Sequence, residues 1–211
     1  MKWSDACLKM HLRLRLQFKR KLDGGMAVVR ILPVLLSLSW PIVAVAKPAQ
    51  VIVIRHAESA AEGPNLSQRG RERAAALVPY FLGRTEVLEF KTPVAIYAQK
   101  STQKRPSLRP VQTVESLAAA LKQPVIQFPH HEFEKMVAEI NAKAEYDGKL
   151  VLICWEHLAI LDIAKAFNVK DAPSKWKGSV FDRSWSFTFQ SDGKISFRNL
   201  PQRLLFGDAV E

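Results

Sequence analysis

From residue 50 onward, short apolar runs alternate with segments whose apolar positions recur every three or four residues. Residues 51–54 read Val-Ile-Val-Ile, a continuous β-branched run that predicts a strand covered on both faces. Ser67 is placed to cap a helix whose Ala74, Leu77, Val78 and Phe81 share one stripe, with Gly83 at its end. Residues 94–97 predict a second strand. Pro110 suits a first helical turn, followed by Val111, Val114, Ala118 and Leu121 on one face. A weak third strand falls at Val125-Ile126. Phe133, Met136, Val137, Ile140 and Ala144 then return to helical spacing. Residues 150–154 form the strongest later strand, and Ile160, Leu161, Ala164 and Phe167 mark another helix. Near the end, residues 184–190 and 195–199 flank Ser-Asp-Gly-Lys, which predicts a hairpin closing one edge of the sheet.

Strands alternating with helices predict an α/β fold, a three-layer sandwich around a mostly parallel central sheet with right-handed crossovers. In such folds a ligand sits beyond the carboxyl ends of the strands. No boundary is visible within residues 47–211, so these are expected to form one domain.

The first 46 residues differ in character. Residues 31–46, ILPVLLSLSWPIVAVA, carry no charge and lie between Arg30 and Lys47. Sixteen residues are short for a bilayer span of about 20, and two prolines and two serines weaken the run further as a membrane helix. Ala44-Val45-Ala46 supplies the small-x-small pattern of a signal-peptidase site. The reading is a cleaved signal peptide ending at Ala46, with export to the periplasm or outside and no stable span after cleavage. Translation could start at Met1, Met10 or Met26; the last gives a compact leader.

The formal charge of +11 raises the question of a polyanion partner. Residues 1–46 hold eight basic and two acidic residues, so more than half of the excess lies in that leader. The remaining chain is only mildly basic, and no nucleic-acid partner is expected. Of the two cysteines only Cys154 lies in the expected mature chain. It sits inside an apolar run and reads as a buried small hydrophobe.

The residues just after each predicted strand carry the chemistry. Arg55 and His56 follow the first; Lys100, Lys104, Arg105 and Arg109 follow the second. His130, His131, Glu132 and Glu134 follow the third, and Glu156 and His157 the fourth. Each alone means little, but together they bring arginines and imidazoles to one rim, where a dianionic phosphate would be held bidentately. A neutral imidazole can also accept a phosphoryl group covalently.

These residues resemble a known set. Arg55-His56-Ala57-Glu58 after a β-branched run resembles the signature of the histidine phosphatase (phosphoglycerate-mutase-like) superfamily. Leu66-Ser67-Gln68-Arg69-Gly70 is similar to its helix entry, Arg109-Pro110-Val111-Gln112-Thr113 to its Arg-x-x-Gln-Thr, and Trp155-Glu156-His157 to its second histidine. The match runs in order over about residues 50–168. Trp176 and Phe181-Asp182 add a likeness to a branch with a Trp-Glu/His-His motif. Ala57 stands where many members have Gly, and the loop between Tyr97 and Arg109 is longer than usual, which leaves the parts of Lys100, Lys104 and Arg105 open.

The resemblance implies a phosphatase that needs no metal or other cofactor and acts on a small phosphorylated substrate. His56 would carry the phosphoryl group, Arg55 and Arg109 would bind it, and a cationic His157 would stabilise charge on the equatorial oxygens. A carboxylic acid would protonate the leaving oxygen: Glu132 is the first choice, with Glu134 and Glu156 as alternatives. Asn65 either contacts substrate or shapes the loop. A metal phosphatase built on His130, His131, Glu132 and His157 fits no zinc-helix spacing. The alternative from another class is a non-catalytic module on the same fold that binds phosphate, another anion or a partner.

Overall fold

The computed structural model describes residues 47–83 and 89–209. The expected leader and its expected cleavage after Ala46 lie outside the described residues. A six-stranded sheet is built from β1 (Gln50–Arg55), β2 (Ala95–Lys100), β3 (Val125–Pro129), β4 (Leu150–Trp155), β5 (Arg183–Phe189) and β6 (Ile195–Pro201), in the order β3-β2-β4-β1-β5-β6. The first four strands run parallel, with Val53 opposite Ile153, while β5 and β6 are antiparallel additions.

Helices cover both faces because the central strands are apolar on both. Ile52 and Ile54 of β1 pack with Leu77 and Phe81 of α1 (Gln68–Gly83) and Val114 and Leu117 of α2 (Arg109–Ala120). Val51 and Val53 point the other way, toward Met136 and Ile140 of α3 (Phe133–Ala142) and Ile160 and Ile163 of α4 (His157–Ala166). This is the two-residue period of a strand, read by one helical layer on each side. Every residue of β1 and β4 is buried. Burying each aliphatic side chain stabilises the fold by roughly 1.5–3 kcal/mol, so these strands anchor the molecule.

The boundaries move where polar residues are recruited. β2 continues past Tyr97 to Lys100 and buries Gln99, whose Oε1 accepts a hydrogen bond from the Glu156 amide at 3.3 Å. β3 continues to Pro129. Helix α3 stops at Ala142, and Ala144 instead opens a 3₁₀ turn, Ala144–Tyr146. On α4 it is Ile163, three residues beyond Ile160, that completes the buried stripe, and Leu161 is only half-buried.

The hairpin does more than close an edge. Its first strand lies directly against β1, with Trp185 opposite Val53, and its second, β6, forms the edge opposite β3. Among the described residues no helix is long and apolar enough to cross a membrane.

Candidate active site

Strand β1 ends by placing two polar side chains in a buried setting: Arg55 is 6% exposed and His56 5%. The His56 amide donates to the Trp155 carbonyl at 2.9 Å, continuing the β1–β4 ladder one step past the strand. The His56 Nδ1 lies 2.8 Å from the Ala57 carbonyl oxygen. A carbonyl can only accept, so Nδ1 carries the hydrogen and the neutral ring presents its lone pair at Nε2. Burial, assisted by Arg55, Arg109 and His157, pushes the His56 pKa down to about 4, with the Ala57 carbonyl acting the other way. The neutral ring is thus the resting form at neutral pH.

Arg55 donates through Nη1 to the carbonyls of Gly178 at 2.6 Å and Val180 at 3.0 Å, and its guanidinium lies 3.7 Å from the centre of the Phe181 ring. Its Nε is buried with no partner. Burial and the neighbouring Arg109 lower its pKa to about 10, against an opposing effect of Glu58. Arg55 and Arg109 therefore act on one another and on His56, and Arg55 also acts on His157.

The turns that form the cluster are held by the sequence signatures themselves. Thr113 donates to the Arg109 carbonyl at 2.7 Å and accepts from the Ala57 amide at 2.9 Å, which ties the start of α2 to the residue after His56. Gln112 accepts from the Leu66 amide at 3.0 Å and donates to Asn65 Oδ1 at 2.8 Å. Asn65 therefore shapes the loop in this structure. Ser67 accepts from the Gly70 amide at 3.0 Å as the helix cap. Gly70 is needed because a β-carbon there would run into the Glu58 carbonyl oxygen. Arg109 itself donates through Nε to Ser107 Oγ at 3.1 Å.

His157 opens α4 beside the loop at Gly178, where a β-carbon would lie 3.4 Å from its Nε2. Burial and Arg55 lower its pKa, and Glu156 partly offsets them. A bound dianion would push it back toward the cationic form. Of the three carboxylates, Glu156 is held by Arg105 at 2.8 Å and lies 2.6 Å from His130 Nε2. Glu132 closes a 3₁₀ turn, His130–Glu132, and pairs with Lys135 at 3.2 Å. Glu134 is exposed in the first turn of α3. His131 is largely exposed, so the adjacent histidines do not converge. Lys100 and Lys104 are exposed as well. Among the described residues no three His, Cys, Asp or Glu side chains group closely enough to hold a metal ion.

One structural feature of the site left no readable pattern. Glu58, two residues after His56, is bound by Arg73 at 2.7 Å, and Arg73 also grips Asp208 at 2.8 Å, with both of the latter side chains 3% exposed. Burial works to raise the carboxyl pKa of Glu58, but Arg73 outweighs it and holds the group below its usual range. The partners are 15 and 135 residues apart, too far for a local pattern to link them.

The fold is similar to that of solved structures. That of the protein histidine phosphatase SixA complexed with tungstate has a TM-score of 0.51 at 17% identity, covering 72% of this chain and 97% of that one. The putative phosphohistidine phosphatase SixA of Agrobacterium tumefaciens gives 0.47 at 16% identity, covering 72% and 97%. A phosphoglycerate mutase of Plasmodium falciparum gives 0.46 at 12% identity, covering 77% and 97%. No protein-family model and no curated protein matches the sequence. The chain thus shares an α/β fold with the protein histidine phosphatase SixA, and its C-terminal hairpin lies on the β1 side of the sheet.

Proposed function

We propose that the protein is an exported, metal-independent phosphatase that hydrolyses small phosphomonoesters through a phosphohistidine on His56. The observation that carries this reading is the His56 ring, buried and held by Nδ1 so that Nε2 is free among Arg55, Arg109 and His157. In the first step Nε2 bonds to phosphorus and the phosphorus–oxygen ester bond breaks. The departing alcohol takes a proton from Glu132, which must enter the cycle as the acid. Water then attacks the phosphohistidine, its proton returns to Glu132, and inorganic phosphate leaves with His56 neutral again. Arg55, Arg109 and His157 stabilise the charge on the phosphoryl oxygens, where phosphoryl transfer needs it most.

A phosphomonoester assay with His56→Ala as the blank tests this directly. The substitution should abolish turnover and also an acid-labile, base-stable label from radioactive ester; a variant retaining both would remove His56 from the role. Excess chelator should leave the activity unchanged. Glu132→Gln should slow esters with poor leaving groups by about 10²–10⁴-fold and nitrophenyl esters far less. Equal losses on both would pass the acid role to Glu134 or Glu156.

Export rests on the uncharged run 31–46 and its Ala-Val-Ala end. N-terminal sequencing of exported protein should begin at Lys47. The second reading, an anion-binding module without turnover, draws on the engagement of Glu132 by Lys135 and of Glu156 by Arg105. It is favoured if phosphate binds and none of the three glutamates affects hydrolysis.

A further inference from the structure

The segment before β5 carries Trp176 and Phe181, which the phosphoryl-transfer scheme does not use. Both reach Arg55. Trp176 Nε1 donates to the Val180 carbonyl at 2.8 Å, the same oxygen that receives Arg55 Nη1 at 3.0 Å. Both lone pairs of that carbonyl are therefore engaged, which fixes its direction. The Trp176 indole is nearly buried and packs 5.0 Å from that of Trp185, itself on β5 opposite Val53 of β1. The segment is thus moored to β5, the strand paired with the one that carries Arg55. Phe181 covers one face of the guanidinium, and its ring lies 6.1 Å from that of His56.

A guanidinium has two useful edges. The Nη1 end is occupied by the Gly178 and Val180 carbonyls, which leaves Nε, buried without a partner, and Nη2 on the opposite edge. Those two N–H groups form the fork that fits two oxygens of one phosphoryl group. We propose that the 176–181 segment is a positioning device for Arg55: Trp176 aims the Val180 carbonyl, that carbonyl fixes Nη1, and Phe181 holds the plane, so the Nε–Nη2 edge is set for an anion before it arrives. This rests on the site being a phosphate site, as proposed above. The gain is preorganisation: an arginine already held in place loses little freedom on binding.

The test measures the dissociation constant of inorganic phosphate by calorimetry, on the intact protein and without any substrate. W176F keeps the ring stack and removes only the N–H; F181L keeps an apolar cover and removes the π face. Each should weaken phosphate binding about tenfold, the order expected for one hydrogen bond near a charged group in W176F and for one desolvated cation–π contact in F181L. In an R55K background W176F should change the constant by less than twofold, because the group it positions is gone. A merely structural role would give the same loss in both backgrounds, and that result overturns the proposal. So do values within twofold of the wild type for both single variants, and so does a wild type that binds no phosphate. If W176F fails to fold, F181L with the same R55K comparison decides. Ester hydrolysis is scored apart: an intact binding pattern without turnover refutes the phosphatase reading and leaves the positioning device standing.

Discussion

At His56, two opposing effects meet, and their sizes decide the chemistry. The hydrogen bond from Nδ1 to the Ala57 carbonyl favours the charged ring, whereas burial, Arg55, Arg109 and His157 favour the neutral one, and the latter prevail. The pKa falls to about 4 from the ordinary 6.5, so the neutral ring persists well into acid. NMR titration of the His56 ring should give a midpoint near pH 4. A midpoint at 6 or above would mean that water reaches the ring. The adjoining Arg55 shows the same economy of placement, since its one buried orphan atom, Nε, lies on the edge that no carbonyl occupies.

At the scale of elements, the entry to α1 shows why a motif has its spacing. Leu66, Ser67 and Gly70 bring a helix end against the backbone of Glu58, with Ser67 bonded both to the Gly70 amide and to the Glu58 carbonyl. Replacing a helical glycine by alanine ordinarily stabilises by about 1 kcal/mol. Here the added carbon meets the Glu58 carbonyl oxygen, a backbone atom that cannot step aside. Gly70→Ala should therefore destabilise, by about 2–4 kcal/mol, and pull the loop carrying Ala57 and Glu58 with it. Urea unfolding that shows equal or greater stability would mean that the helix moves away at little cost. The second fastening, Thr113 between Arg109 and Ala57, works the same way from the α2 side.

On the scale of the molecule, the Glu58–Arg73–Asp208 network joins the loop after β1, helix α1 and the tail after β6. Burial acts to raise the Asp208 pKa, but Arg73 and the amides of Leu204 and Leu205 win and lower it to about 2. A carboxyl with a depressed folded pKa adds stability that is complete above its unfolded value of 3.8 and is lost as pH falls toward 2. Asp208→Asn should cost about 1.5–3 kcal/mol near neutral pH. It should also flatten the stability curve between pH 4 and 2, measured by urea unfolding at a series of pH values. An unchanged acid dependence would place that sensitivity elsewhere.

The alternation of strands and helices, the parallel sheet and its hairpin were legible in the chain because strand and helix periods are local properties of hydrophobic order. Arg55, His56, Arg109 and His157 were legible as candidates because each stands just past a strand or at the start of a helix that a strand delivers. Gln99 was missed because a polar residue was recruited into β2 by a distant amide, and Arg73 because its two carboxylates lie far along the chain. The tertiary structure alone decided that β5 would lie beside β1. That neighbour brings the Trp176–Phe181 segment onto Arg55, and no period in a sequence specifies which distant carbonyl an arginine will meet. Periodicity determines the elements and the rim they share; the pairing of distant strands determines which atoms face each other there.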